Sequence, residues 1–285
     1  MRLGWRRPVR VVGQRPVWLG LVLAVSVGWA DRAQDLANLA AQVQRERCQS
    51  VTTLSDCHDG FPTGCSNAQN PAYDAYLNFL KNQMLSPSVA PGPFLDQTGF
   101  AAKELAIPAG LRSRNHGDHA QALAGLGEGN IHGVIGFLYY AQVTRSPETA
   151  NCQLTGTRNS DFHIGIGFDA GVAQRLRAGE AIAKRDLERT SIIAEMTPHY
   201  RRRHRRDWTI SLLRLNAGRQ VKVIGQLMLD NEHLEPAENC GRPNADLQTC
   251  FRLSGWEIHP VSEFFVCQGG NACAQDSSDW VRIDQ

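Results

Sequence analysis

The chain has 285 residues, of which 30 are basic and 28 acidic, giving a formal net charge of +2. The first 30 residues hold five arginines and no acid, so the remainder carries 25 basic and 28 acidic residues, a net charge of −3. This balance excludes attraction to nucleic acid through overall charge, and any such affinity must come from a local patch.

The N-terminus has the pattern of a secretory signal peptide. Arginines precede an apolar stretch over residues 17–27, and the small residues Gly28 and Ala30 occupy positions −3 and −1 of a predicted cut after Ala30. The stretch is shorter than the roughly 20 residues that a membrane helix needs; an uncleaved anchor is the alternative. We therefore expect a signal peptide over residues 1–30 and a secreted or periplasmic mature chain without a transmembrane span.

The even number of cysteines in an exported chain predicts a disulfide framework. The eight are Cys48, Cys57, Cys65, Cys152, Cys240, Cys250, Cys267 and Cys273. Short spacing favours pairing the last four in chain order, as Cys240–Cys250 and Cys267–Cys273. Cys152 would then pair with one of the first three, and the other two with each other. Zinc binding is the weaker alternative, because no CxxC spacing occurs.

Residues 31–126 are predicted to form a helical, loop-rich and disulfide-tied N-terminal region. Residues 48–70 are rich in Gly, Ser and Asp, and residues 86–93 contain three prolines, so both segments are expected to be loops. Apolar residues at helical spacing, most clearly in YDAYLNFLKNQM, predict the helices. Their ranges are residues 34–47, 73–84 and 118–126.

Residues 127–285 alternate in the manner of β-strands and are predicted to form a second, mainly β domain. One helix, over residues 208–216, lies between the third and fourth strands. The order β-β-β-α-β-β is that of the OB-fold, so we expect a five-stranded OB-like Greek-key barrel, with an open sandwich as the alternative. Gly136 and Gly225 occupy similar VIGFL and VIGQL segments and predict bends. The strands are predicted over residues 131–143, 161–168, 191–197, 220–229 and 256–266.

Side-chain parity predicts one polar cluster on this barrel. Alternate residues of a strand face opposite sides, and the apolar residues of the second, third and fifth strands should face the core. Polar residues of these three strands would then share an outer face, because the OB order makes the strands neighbours. They are Asp161, His163, Glu195, Glu257 and His259.

Three interpretations of this cluster stay open. Buried carboxylates that orient imidazoles would make a structural hydrogen-bond network. The same donors suit Zn²⁺, Mn²⁺ or a similar divalent ion, with His163, His199, His233 and His259 as candidate ligands. Catalysis by His163, Glu195 and His259, as an acid–base pair or with a metal-bound water, would cleave a phosphodiester or similar bond. No HExxH spacing decides among them, so the sequence does not establish an enzyme or a cofactor.

The segment RRRHRR follows the third strand and is predicted to be a loop. Its guanidinium groups would bind phosphates of a polyanion or of single-stranded nucleic acid. A solvated loop without a ligand is the alternative. The arginines are Arg201, Arg202, Arg203, Arg205 and Arg206.

Several segments together resemble a family of uncharacterised bacterial proteins. They are GEGNIHGVIGFLYYA, ETANC, DFHIGIGF, AEMTPH, VKVIGQLMLDNEH and WEIHPV, preceded by GCSNAQNPAYDAYLNFLKNQ. The resemblance spans roughly residues 64–267 and implies membership without assigning an activity. We expect a secreted or periplasmic OB-like module that binds an anionic or nucleic-acid-like ligand. The alternatives are a metal-dependent hydrolase of phosphodiesterase or nuclease type and a structural envelope protein.

Overall fold

The computed structural model describes residues 51–60, 74–86, 91–269 and 272–285. The predicted signal peptide, the predicted helix over residues 34–47, and Cys48 and Cys65 lie outside the described residues. Within the described part of the chain, none of the helices has the length and apolar character that a membrane crossing needs.

Five long strands form a closed β-barrel. Around the barrel the order is β2-β3-β4-β6-β5, and β5 pairs with β2 to close it. Within the barrel, neighbouring strands are antiparallel except β4 and β6, which are parallel. Two short strands, β1 and β7, extend the sheet by pairing with β2 and β6. The strands are β1 (Phe94–Leu95), β2 (Ile131–Val143), β3 (Phe162–Gly167), β4 (Ser191–Met196), β5 (Gln220–Leu229), β6 (Trp256–Cys267) and β7 (Trp280–Arg282).

The barrel confirms the five predicted strands to within one residue at every end, and its closure excludes the open sandwich. The apolar parity of β3 and β6 places Phe162, Ile164, Trp256 and Ile258 in one core. All four are at most 1% exposed. Burying such a side chain contributes about 1.5–3 kcal/mol relative to leaving it in water.

The two predicted glycine bends have different outcomes. The β5–β6 ladder is irregular on both sides of Gly225. A Cβ on that residue would lie 2.4 Å from the Pro260 carbonyl oxygen, so only glycine fits. A Cβ on Gly136 would lie 2.7 Å from a backbone oxygen of β3, but the irregularity of the β2–β3 ladder lies between Leu138 and Tyr140. Gly136 therefore permits close strand approach without a bulge.

Short helices surround the barrel, and side-chain caps start several of them. Asp74, Asp169, Thr197 and Thr209 each accept a hydrogen bond from a backbone N–H of the first turn. The α-helices are α1 (Leu54–Gly60), α2 (Ala75–Lys81), α3 (Gln97–Leu105), α4 (Ala120–Gly125), α5 (Ala170–Arg177), α6 (Lys184–Glu188), α7 (Pro198–His204) and α8 (Ile210–Leu215). The 3-10 helices are His116–His119, Thr149–Asn151 and Asn231–His233.

The RRRHRR segment is not a loop, contrary to the prediction. Its first four residues belong to α7. The Thr197 hydroxyl accepts a hydrogen bond from the backbone N–H of Tyr200, and Pro198 occupies the first turn, where its missing N–H costs nothing. The cap and the proline therefore start a helix directly after β4.

Three disulfides tie the described regions together. Cys240 pairs with Cys250 and Cys267 with Cys273, as the short spacings predict. Cys57 is the N-terminal cysteine that pairs with Cys152, across 95 residues of sequence. This long-range bond joins α1 to the Thr149–Asn151 turn.

Candidate metal centre

The register of three strands brings the predicted polar residues together. His163 of β3 lies opposite Glu195 of β4, and the parallel pairing of β4 with β6 aligns Ala194 with Ile258. Glu195 therefore lies beside the two polar neighbours of Ile258 along β6, which are Glu257 and His259.

Ion-pair distances define the resulting cluster. His163 Nε2 lies 3.1 Å from Glu195 Oε1. His259 Nδ1 lies 3.3 Å from Glu195 Oε2 and 3.4 Å from Glu257 Oε2. Glu148, from the segment before the Thr149–Asn151 turn, approaches His163 Nε2 to 3.8 Å. One continuous array of imidazoles and carboxylates thus crosses β3, β4 and β6.

Three members of this cluster have the geometry of a metal-binding group. One ligand atom each of Asp161, Glu195 and His259 lies within 4.8 Å of the others. The three residues are 2%, 4% and 0% exposed. Asp161 Oδ1 and His259 Nε2 are buried without a hydrogen-bond partner among the described residues. Since an unpartnered buried polar atom is costly, a ligand that both atoms contact would remove the cost.

The carboxylates of the cluster fall into two classes. Glu257 contacts Arg252 Nη1 at 2.6 Å, and Asp230 contacts Lys81 Nζ at 3.2 Å. Across the described residues, Asp161 and Glu195 make no ion pair with lysine or arginine. Two buried carboxylates without a paired cation match the charge of one divalent ion.

The pKa directions follow from these contacts. Burial raises the pKa of Asp161 and of Glu195 well above their usual ranges, and neighbouring carboxylates raise both further. Burial also disfavours the ionised form of Glu257, but Arg252 and the hydrogen bond with His259 together outweigh burial, so the pKa of Glu257 is lowered. The two carboxylates without a cation are therefore the ones whose ionised forms are disfavoured.

His259 is prepared to act as a neutral ligand. Burial lowers its pKa. Because the ionised Glu257 carboxylate only accepts hydrogen bonds, Nδ1 carries the proton and Nε2 keeps its lone pair. A carboxylate that holds the second nitrogen of an imidazole is the usual support of a metal-ligating histidine.

The cluster has a covered side and a more open side. On the covered side, Gln226 Nε2 donates to the carbonyl oxygens of Leu80 in α2 and of His259. Asn82 Nδ2, just after α2, donates to the Ala150 carbonyl oxygen. On the open side, the side chains of His163 and Glu148 are 22% and 25% exposed. Access from solvent therefore runs past His163.

Two histidines predicted to border the cluster lie outside the three-residue group. His199 is buried in α7. His233 Nδ1 lies 3.5 Å from Glu238 Oε2, and His233 Nε2 lies 4.0 Å from Asp230 Oδ2. Among the described residues, the ion-pair contacts of His233 are therefore with Asp230 and Glu238 and not with the three-residue group.

The arginines of the RRRHRR segment divide into engaged and exposed residues. Arg201 is buried, donates to the Met196 and Ser160 carbonyl oxygens, and stacks its guanidinium 3.5 Å from the Phe162 ring centroid. Arg205 pairs with Glu263. These two are committed to the protein itself, contrary to the expectation that the whole run faces a ligand. The exposed members are Arg202, Arg203 and Arg206.

Sequence reasoning did not select three further residues of the cluster. They are Lys81, Glu148 and Arg252, which contact Asp230, His163 and Glu257 respectively. Lys81 and Arg252 lie outside the strands used in the parity argument. Glu148 lies four residues before Cys152, which forms a disulfide with Cys57. The cysteine is the one feature of the sequence that indicates a fixed position for this segment.

Comparison with known proteins identifies no relative of this chain. Neither a family model, nor a curated protein, nor a solved structure matches this chain.

Proposed function

We propose that the protein is a divalent-metal-dependent hydrolase whose metal ligands are Asp161, Glu195 and His259. The observation that carries the proposal is the convergence of these three buried side chains. Two of them, Asp161 and His259, each have a buried polar atom without a hydrogen-bond partner among the described residues. Two carboxylates and one imidazole suit Zn²⁺, Mn²⁺ or a similar ion.

The open side of the cluster supports hydrolysis rather than a closed structural site. Asp161, Glu195 and His259 would hold the ion, which would lower the pKa of a water for the attack. His163 would accept the proton of that water, and the hydroxide would add to the electrophilic centre. The bond to the leaving oxygen would then break, and His163 would return the proton to that oxygen. A phosphodiester is the first substrate class to test.

The strand order supports the proposal that the barrel is OB-like. The third and fifth barrel strands are neighbours and parallel, and the first and fourth close the barrel. Two helices, α7 and α8, lie between the third and fourth strands, where the OB-fold has one. We also propose that the protein works in an oxidising compartment, since all six described cysteines form disulfides. Mass spectrometry of the protein exported from bacterial cells tests this proposal. We expect a mature chain that begins at Asp31.

Polyanion binding is a second candidate function. A cleft of about 560 Å³ is lined by Arg158, Arg202 and Arg206 beside Trp208. An affinity for a labelled oligonucleotide that falls steeply with salt, and falls further in Arg202→Gln/Arg206→Gln, is expected. Salt-independent binding would argue against it.

Metal analysis and a hydrolysis assay test the proposed enzyme. After the protein is loaded with Zn²⁺ or Mn²⁺ and dialysed, we expect it to retain roughly one ion per chain, because a site with three protein ligands binds its ion tightly. We also expect the loaded protein to cleave bis(p-nitrophenyl) phosphate and a chelator to abolish this cleavage. Both should be lost in His259→Gln and Glu195→Gln. His132→Gln is the matched control, because His132 is also buried but contacts the Pro93 carbonyl oxygen away from the cluster. Full ion retention in His259→Gln would overturn the proposal.

A further inference from the structure

A cationic cleft adjoins the open side of the candidate metal centre. Its volume is about 840 Å³. The end of β2 and the two residues that follow it, together residues 140–145, form one wall, and His163 borders it. Lys184 of α6 and Arg214 of α8 complete the lining. Three cationic side chains from three separate segments, Arg145, Lys184 and Arg214, thus line the cleft beside His163.

The cleft and the cluster share one row of side chains. Gln142 of β2 lies opposite His163 of β3, which in turn lies opposite Glu195 of β4. Gln142 and His163 line the cleft, whereas Glu195 is buried in the cluster. A group bound in the cleft therefore lies next to the residue that would exchange the proton.

Two of the three cations are available to a ligand. Arg214 Nε donates to the Ala141 carbonyl oxygen at 3.0 Å, which fixes the guanidinium, while its terminal nitrogens contact no partner in the described part of the chain. Arg145 is exposed and also makes no polar contact with the described residues. Lys184 pairs with Glu188 at 2.9 Å. The free binding capacity is therefore that of two guanidinium groups, which match the oxygens of a phosphate in geometry.

We propose that this cleft binds the anionic group of a phosphate-ester substrate through Arg145 and Arg214, with the scissile ester beside His163. This inference rests on the proposed function for the identity of the reaction. The binding of the oxyanion itself depends only on the cleft. A phosphate there would be held by the arginines and would present its ester bond toward the open side of the cluster.

The test measures the affinity for inorganic phosphate and the KM for bis(p-nitrophenyl) phosphate, both in the full chain with its disulfides intact. Arg145→Gln/Arg214→Gln should weaken phosphate binding by roughly 10- to 100-fold, the loss expected for hydrogen bonds to a charged group. The same variant should raise KM for bis(p-nitrophenyl) phosphate by a similar factor. Arg203→Gln is the matched control, because Arg203 is an exposed arginine of α7 that lines neither cleft.

The outcomes separate this inference from the proposed function. Unchanged phosphate affinity in the double variant, or an equal loss in Arg203→Gln, overturns the cleft assignment even if the protein retains a metal and cleaves esters. Loss of phosphate binding confined to the double variant supports the cleft even if metal analysis finds no ion, in which case the hydrolase proposal alone fails.

Discussion

At the scale of single residues, the account depends on Asp161 and Glu195. Each is a buried carboxylate without a lysine or arginine partner in the described residues, whereas Glu257 and Asp230 each have one. Without a cation, burial favours their protonated forms and costs folding free energy when they ionise. A bound divalent ion would reverse this preference and stabilise the folded protein by mass action.

Asp161→Asn separates metal binding from structural hydrogen bonding. The variant removes a charge that burial disfavours, so the metal-free protein should keep or gain stability at pH 8. The rise in Tm on adding Zn²⁺ or Mn²⁺ should disappear. Thermal unfolding with and without the ion measures both effects.

Glu104→Gln is the control for Asp161→Asn. Glu104 is equally buried, but its carboxylate accepts hydrogen bonds from Asn239, Ser254 and the Gly255 N–H. This variant should lose about 1–3 kcal/mol and keep the metal-induced rise in Tm. If Asp161→Asn retains that rise, Asp161 is not a ligand.

His116 gives the protein a pH-dependent term outside the candidate metal centre. Its Nε2 lies 2.9 Å from both Glu128 oxygens, and its Nδ1 lies 2.8 Å from Asn231 Oδ1. Burial disfavours the charged form, but Glu128 outweighs burial and raises the pKa from 6.5 to about 9. The stabilisation is therefore complete below pH 6.5 and is lost as the pH rises through about 9.

His116→Gln should remove this pH dependence. Between pH 6 and pH 9.5, wild type should lose up to roughly 3 kcal/mol of unfolding free energy relative to the variant, since one pKa unit corresponds to about 1.4 kcal/mol. Urea unfolding of both proteins across this range measures the difference. Parallel pH profiles would show that His116 is not charged in the folded state.

At the scale of elements, the five barrel strands and three of the helices were predictable, and the other short elements were not. Helices α2, α4 and α8 lie within the predicted ranges 73–84, 118–126 and 208–216. Strands β2 and β5 have enough alternating residues to fix their bounds from sequence. Strands β1 and β7 have two and three residues, too few for any periodicity. Helices α5, α6 and α7 are at most eight residues long, too short for a clear apolar stripe. Side-chain caps start α5 and α7, whereas α6 has no side-chain cap, so local contacts and packing determine these helices.

The Cys57–Cys152 disulfide should be the strongest single covalent tie among the described elements. It closes a loop of 95 residues, whereas Cys267–Cys273 closes one of six. The chain-entropy model then predicts losses of about 4–5 kcal/mol for Cys57→Ser/Cys152→Ser and roughly 2 kcal/mol for Cys267→Ser/Cys273→Ser. Urea unfolding tests the order, and an equal or reversed order would mean that α1 contributes little to the native structure.

At the scale of the whole molecule, the cluster is a product of the strand order in the barrel. Residues 161, 195 and 259 are far apart in sequence, and only the β3-β4-β6 order makes them neighbours. Strand parity therefore predicts which side chains share a face. It says nothing of Lys81 or Arg252, whose positions depend on how α2 and the segment before β6 pack on the barrel. The cationic cleft likewise combines β2, α6 and α8.

Anomalous X-ray diffraction from crystals grown with Zn²⁺ or Mn²⁺ tests the central claim most directly. The account predicts one strong peak about 2.0–2.2 Å from an oxygen of Asp161, an oxygen of Glu195 and a ring nitrogen of His259. The claim would be contradicted if these three side chains were well ordered but showed no anomalous peak. It would also be contradicted if the ion were coordinated by other residues.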